Sequence, residues 1–227
     1  SAVSLYMQWT DVMLITPDTL RIACFNKDIV VLDLLQDEYT VLENSAESFL
    51  TFKIPDPDVE AFLNGEKNCH YLHTDNHNDP ESFLDVRWMK PQVTITSSPA
   101  LARISALRAI LYCRKSLRRG GMMAVKRNFS EIQTTGYETE ITPEVSVRIK
   151  EEIAALNSVF DLIAHDNPCL VYSYALKQRL FARKICATLV IGVRTRPFYS
   201  HAWVEVDNTV ISDDPDLRKK TSVILEC

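Results

Sequence analysis

Cys169 has the residue type and the local setting of a catalytic nucleophile. It follows Pro168 in the stretch DNPCLVYSYALK, where a capping residue and a proline predict the start of a helix. A thiolate in the first turn of a helix feels the positive end of the helix dipole, which lowers its pKa and raises the nucleophilic fraction at neutral pH. The alternative, a small buried hydrophobic residue, fits a lone cysteine equally well, so the partners decide.

His201 and Asp213 follow in the order that a thiol nucleophile requires. The stretch HAWVEV alternates with a period of two, which predicts a strand packed on one face with His201 at its start. The next run, NTVISDD, ends at Asp213, whereas Asp214 precedes a proline and indicates a turn. In a triad the histidine takes the thiol proton and the acid orients the imidazole. The order of the elements therefore predicts a site made of Cys169, His201 and Asp213.

The first part of the chain predicts a small sheet followed by short helices. Three β-rich runs cover residues 20–26, 28–35 and 38–43, and polar turns join them. Such short connections favour an antiparallel meander. Short helical turns are then expected up to about residue 90.

The remainder predicts helices before the catalytic elements. Ser98 and Pro99 open a basic helix that is expected to end at Gly120, with apolar residues at helical spacing. Residues 122–141 are weakly patterned and predict a loop, and Thr142 caps a second helix. The whole order predicts an α+β fold with two domains, residues 1–90 and 91–227.

Composition restricts the class of protein. The chain has 227 residues, of which 46% are hydrophobic and 24% charged, as in ordinary globular proteins, and its net charge of −5 argues against nucleic acid as a partner. No apolar run approaches the ~20 residues that span a bilayer, so membrane insertion is not expected. Scattered cysteines without a secretory signal indicate reduced thiols in a cytoplasmic protein. These cysteines are Cys24, Cys69, Cys113, Cys169, Cys186 and Cys227.

Three motifs carry a resemblance to a known family. PCLVYSYALK, LVIGVRTRPFYSHAWVEV and VISDDPDLR, within residues 168–226, resemble the catalytic half of the bacterial lasso-peptide leader peptidases. These are the B proteins of microcin-type antibiotic biosynthesis, in the transglutaminase-like cysteine peptidase superfamily. The N-terminal sheet and helices are similar to that family's precursor-recognition domain, which is PqqD-like and has a winged-helix fold.

The resemblance implies a hydrolase that matures a ribosomally made peptide. Such a cysteine peptidase binds the leader of a lasso precursor and hydrolyses the bond between leader and core. The freed core amine is then joined to an acidic side chain by a partner ATP-dependent cyclase. The family motif places the nucleophile on Cys169, the general base on His201 and the orienting acid on Asp213, and it needs no cofactor or metal.

The resemblance also implies a mode of leader binding. In members of this fold class the leader adds as an extra strand along the third strand of the recognition sheet, beside the third helix. The candidate leader-binding residues here are Tyr39, Val41, Phe83, Leu84 and Trp88.

The sequence departs from papain-like relatives before the nucleophile. Those relatives carry a glutamine six positions earlier that completes the oxyanion hole, whereas this chain has Ile163. The backbone N–H of Cys169 can still serve as one donor. Tyr172, Tyr174 and Tyr199 are candidates for the second, although core or rim packing is the favoured interpretation of each.

Other functions remain open from the sequence. A non-catalytic leader-binding adaptor would keep the first domain, and an acyltransferase or transglutaminase would use the same cysteine, histidine and aspartate with an amine in place of water. Cys69, His70, His73 and His77 are zinc-binding residue types. Four ligands so close in one segment would strain a tetrahedral site, so a polar surface segment is favoured there.

Overall fold

The computed structural model describes residues 19–47, 88–95, 98–130, 135–163 and 166–227. The predicted short helices, Phe83, Leu84 and the cysteine–histidine cluster at Cys69 all lie outside the described residues. The chain divides into two compact units. The first contains Ser1–Phe83, Gly192–Ser200 and Arg218–Leu225, and the second contains Leu84–Ile191, His201–Leu217 and Glu226–Cys227. The predicted domain boundary at residue 90 stays a prediction.

The first unit contains the predicted antiparallel meander, which is confirmed. Its strands are β1 (Leu20–Phe25), β2 (Asp28–Asp33) and β3 (Glu38–Leu42), in that spatial order. Asn26 and Asp37 occupy the turns with positive φ, a conformation that asparagine and aspartate adopt more easily than other side chains. β1 and β2 are almost wholly buried, whereas β3 lies at the edge of the sheet and is half-buried or exposed.

A buried carboxylate, Asp28, joins this sheet to a segment far along the chain. Its two oxygens accept hydrogen bonds from Thr195 Oγ1 at 2.5 Å and from Arg196 Nε and Nη2 at 3.0 and 2.8 Å. The backbone N–H of Asn44 donates a further bond at 2.8 Å. Burial alone would raise the pKa of Asp28, but these donors and the guanidinium charge lower it to about 2. The ionised carboxylate is therefore part of the folded state.

We expect Asp28→Asn to remove a pH-dependent share of the stability. The folded-state pKa of about 2 lies below the ordinary value, so the stabilisation is present above about pH 4 and disappears as the pH falls towards 2. Its size is about 2 kcal/mol, and urea unfolding between pH 7 and pH 2.5 measures it. Ser222→Ala removes a bond from Ser222 Oγ to the Cys24 carbonyl in the same unit without removing a titratable group. A loss of stability in Asp28→Asn that is equally large at pH 2.5 and pH 7 would contradict this account.

The second unit begins with a long helix that corrects one prediction. α1 (Ala100–Ser130) is interrupted at Gly120 and Gly121, whose φ values are −147° and +49°. The helix was expected to end there and residues 122–141 to form a loop, but helical structure resumes and continues to residue 130. The break at the glycines agrees with the expected helix end, whereas the loop prediction was wrong for residues 122–130, because buried Met122 and Val125 hold a second helical segment in the core.

The apolar residues that indicated α1 are not its buried face. Leu101 and Ile104 are 80% and 55% exposed, whereas Ala106, Ile110 and Cys113 are buried. The periodicity therefore gave the right element and the wrong face. Small side chains on the buried face allow the neighbouring helices to pack closely.

The two following helices are confirmed. α2 (Pro143–Phe160) has Thr142 at its N-cap, where Thr142 Oγ1 accepts a bond from the Val145 N–H at 3.2 Å. α3 (Pro168–Ala182) starts at the predicted proline. A buried ion pair between Glu152 of α2 and Arg179 of α3 connects them, and Arg179 also donates to Ser105 of α1 at 3.0 Å.

A second antiparallel sheet follows α3 and confirms the α+β class. Its strands lie in the order β6-β5-β4-β7. Their bounds, with that of a short helix, are β4 (Thr188–Arg194), β5 (Tyr199–Val206), β6 (Thr209–Val210), α4 (Leu217–Lys220) and β7 (Ser222–Glu226). β5 was expected to pack on one face only, and this was wrong: residues 201–206 are all buried, so both faces of the strand are covered.

None of the helices in the described part of the chain has the length and apolar character needed to cross a membrane.

Candidate active site

Cys169 is the second residue of α3 and is half-buried. Asn167 occupies the N-cap position, where its carbonyl accepts the Val171 N–H at 3.0 Å while its side chain makes no capping bond. The helix behind the cysteine is deeply buried, and Ser173 Oγ donates to the Ala202 carbonyl of β5 at 3.0 Å. This bond fixes the start of α3 beside the residue that follows His201.

His201 is buried at 3% exposure and lies between two partners. Its Nε2 is 2.8 Å from Asp213 Oδ2, and the ring makes a side-chain hydrogen bond with Cys169. The structure therefore brings together the three residues that the sequence selected. Their catalytic roles remain a prediction.

Two hydrogen bonds to the backbone of Val204 in β5 hold the segment that carries Asp213. The Val204 N–H donates to Ser212 Oγ at 2.9 Å, and the Ile211 N–H donates to the Val204 carbonyl at 3.0 Å. The strand itself ends at Val210, so Asp213 lies just past it. Asp213 Oδ1 accepts the N–H of Asp214 at 2.8 Å, which leaves Oδ2 facing the imidazole.

The electrostatics of the site favour a thiolate next to an imidazolium. Burial would raise the pKa of Cys169, but the hydrogen bond and charge of His201 lower it, together with the N–H groups of Ala202 and Leu170. Burial would lower the pKa of His201, but Asp213 and the Cys169 thiolate raise it to about 9. Both shifts favour the thiolate–imidazolium form of the pair over the neutral thiol and imidazole.

The face of β5 that carries His201 is polar and buried, which the sequence did not predict. The rings of His201 and Trp203 are stacked, with centroids 6.3 Å apart and an interplanar angle of 25°. Trp203 Nε1 donates to Glu205 Oε1 at 2.7 Å, and both residues are buried. The indole thus forms a rigid wall beside the imidazole. The alternation HAWVEV contained these residues, but nothing local showed that they are covered.

Of the three tyrosines considered as oxyanion donors, Tyr172 and Tyr174 belong to the core, whereas Tyr199, the first residue of β5, is half-buried. Tyr172 and Tyr174 are fully buried. The Tyr172 hydroxyl donates to Asn157 Oδ1 at 2.9 Å, and the Tyr174 hydroxyl bonds Asn128 and Ser116. Their hydroxyls are occupied by these helix-to-helix bonds, which agrees with the packing interpretation favoured from the sequence.

The described leader-binding candidates lie in different units. Tyr39 is on the edge strand β3, where its ring lies 5.3 Å from that of Phe198 in the same unit, and Val41 of β3 pairs with Val30. Trp88 belongs to the second unit, where it packs against Phe160 and Tyr172 with centroid distances of 5.6 and 5.4 Å.

No group of three or more metal-ligating side chains occurs within the described ranges of the chain.

We expect Cys169 to react as a thiolate at neutral pH. Iodoacetamide should alkylate Cys169 well below pH 9, because the pKa of this thiol is lowered. Peptide mass mapping detects the modified residue. Cys113 is the internal control, since its burial raises its pKa and protects it. His201→Ala removes the hydrogen bond and the positive charge, so the rate at pH 7 should fall roughly tenfold for each unit by which the pKa of Cys169 rises. Unchanged reactivity in His201→Ala would show that the pair does not form.

The model of the transglutaminase-like superfamily matches residues 107–226, which include α3 and every residue of the site. The chain is 33% identical to the microcin J25-processing protein McjB of Escherichia coli, over 89% of this chain and 96% of that protein. No solved structure was found to match the chain.

Proposed function

Because this chain belongs to the transglutaminase-like superfamily, and within it to the lasso-peptide leader peptidases, we propose that it hydrolyses the leader–core bond of a lasso precursor. A role in lasso-peptide processing follows from the family itself. The hydrogen-bonded series Cys169–His201–Asp213 is the observation that supports peptide hydrolysis as the reaction.

In the first half of the proposed reaction the Cys169 thiolate attacks the carbonyl carbon of the scissile bond. A C–S bond forms, and the developing oxyanion is stabilised by the backbone N–H of Cys169 at the helix start. The His201 imidazolium gives its proton to the leaving nitrogen as the C–N bond breaks. The core departs with a free α-amine, and the leader stays attached to the sulfur as a thioester.

In the second half, water replaces the core. Neutral His201 takes a proton from a water molecule, which attacks the thioester carbon. The C–S bond breaks, the leader leaves as a carboxylic acid that loses its proton to solvent, and the proton kept by His201 restores the thiolate–imidazolium pair. Asp213 holds the ring in the orientation that both transfers require, through its bond to Nε2.

The edge strand β3 is the proposed docking site for the leader. An extended peptide can add as a further strand along the outer strand of a sheet. Tyr39 and Val41 are half-buried on this strand. Phe83, Leu84 and Trp88 remain proposed contributors on the basis of the family resemblance alone.

The remaining parts of the proposal concern context. A partner ATP-dependent cyclase would use the amine that cleavage frees, since this amine is the group that forms the macrolactam. The protein would act in the cytoplasm, where the ribosomal precursor and ATP are both present.

Mass spectrometry of a lasso precursor peptide tests the reaction. Wild type, Cys169→Ala and Cys186→Ala are incubated with it, each with and without the cyclase. Hydrolysis predicts a leader with a free carboxylate in the wild-type and Cys186→Ala tubes, and intact precursor with Cys169→Ala. Cys186 is the matched control because it is another half-buried thiol, outside the site.

The same tubes separate the alternatives. A leader joined to an added amine would indicate an acyltransferase. Leader binding without cleavage in every tube would leave a non-catalytic adaptor and overturn the peptidase proposal.

We expect Asp213→Asn to slow cleavage because the amide loses the negative charge that stabilises the imidazolium. The expected fall in kcat is roughly 10²- to 10⁴-fold, with little change in KM. Asp214→Asn is the matched control, since it makes the same change one residue away, at a carboxylate that accepts the Asp216 N–H at 2.8 Å. Equal losses of kcat in the two variants would show that Asp213 is not the acid that orients the imidazole.

A further inference from the structure

The first sheet holds the loop that leads into His201. Residues 195–198 join β4 to β5 and belong to the same compact unit as β1–β3. Asp28 accepts bonds from the side chains of Thr195 and Arg196, and Arg196 Nη2 also donates to Asn44 Oδ1 at 2.9 Å. At the end of the loop, the ring of Phe198 packs on Tyr39. The loop conformation therefore depends on residues that lie more than 150 positions earlier in the chain.

Arg196 needs this support because its backbone is in a disfavoured conformation. Its φ is +62°, in the left-handed region where the Cβ of an L residue crowds the following carbonyl. Its side chain is 57% exposed, whereas the Asp28 side chain is 1% exposed. A buried carboxylate that accepts two bonds from one guanidinium is a fixed, directional anchor. The pair thus holds a strained turn at one position.

His201 follows closely along the same strand. β5 starts at Tyr199, so His201 is its third residue and lies about 7 Å from the strand start. Its ring must keep 2.8 Å from Asp213 Oδ2 and also reach the Cys169 sulfur. A displacement of the loop by a fraction of 2.8 Å would misalign the contacts of the ring with both Asp213 and Cys169.

We propose that Asp28 and Arg196 are positioning residues for the proposed catalytic base, and the inference rests on the function proposed above. The sheet expected to recognise the leader then has a second task. It fixes the loop Thr195–Arg196 so that the imidazole of His201 stays aligned with the sulfur. Removing the anchor impairs chemistry rather than leader affinity.

Arg196→Gly is the variant that isolates this effect. Glycine accepts the positive φ without crowding, so the backbone turn is retained while the guanidinium is lost. The rate of Cys169 alkylation at pH 7 should fall and its pH profile should move to higher pH. The kcat for precursor cleavage should fall roughly 10- to 100-fold, with the Kd for a synthetic leader peptide unchanged. Asp28→Asn should act in the same direction, and Arg196→Lys should recover part of the loss.

Ser222→Ala is the matched control for general destabilisation. It removes the bond from Ser222 to the Cys24 carbonyl, which ties another segment to the same sheet without touching the loop. It is expected to lower the Tm while leaving the alkylation profile at its wild-type position. A wild-type profile in Arg196→Gly, or an equal shift in Ser222→Ala, overturns the inference.

The alkylation assay needs no substrate, which separates this inference from the proposed function. Suppose that the wild-type protein fails to cleave a lasso precursor while the alkylation shift is still present in Arg196→Gly. This result overturns the peptidase proposal and supports the alignment of His201 by the anchor. Cleavage by the wild type, with the alkylation profile unshifted in Arg196→Gly and in Asp28→Asn, supports the peptidase proposal and overturns the alignment of His201 by the anchor.

Discussion

The hydrogen-bonded pair of Cys169 and His201, whose shifted pKa values favour a thiolate beside an imidazolium, is the constraint on which the site depends. Each ion alone would be strongly disfavoured away from water, and each is stable because the other lies next to it. The Asp213 carboxylate, which bonds His201 Nε2, further stabilises the positive charge, and the N–H groups of Leu170 and Ala202 further stabilise the negative charge. Much of the second unit can be understood as what keeps these groups at fixed distances, from the buried face of α3 to the bonds between Val204 and residues 211–212.

The residues of the site were predictable because each stands at a local boundary. Pro168 marks the first turn of α3, HAWVEV marks a strand start, and the end of NTVISDD marks where a strand stops. Such boundaries depend on a few neighbouring residues, so sequence patterns contain them. The meander was predictable for the same reason, since its turns at Asn26 and Asp37 use residue types suited to positive φ.

What the sequence did not contain is the pairing of distant segments. Nothing near Asp28 indicates that its partner is Arg196, because the two are 168 positions apart. The burial of both faces of β5 depends on elements that are distant in the sequence, such as α3, so the local alternation suggested one covered face. The exposed Leu101 stripe of α1 shows the same limit, since periodicity identifies a helix without identifying what packs against it. Glycines at 120 and 121 were likewise compatible with an end or with a bend, and only the core around Met122 decides between them.

The composition of the first unit has a consequence for the order in which the chain can fold during synthesis. The segments Gly192–Ser200 and Arg218–Leu225 that complete the unit leave the ribosome well after β1–β3. At about 5–20 residues per second, roughly ten seconds or more separate Asp28 from Arg196. Throughout that interval the carboxylate has no guanidinium beside it and must remain hydrated. The unit that contains the small sheet is therefore complete only after both His201 and Asp213 have been synthesised.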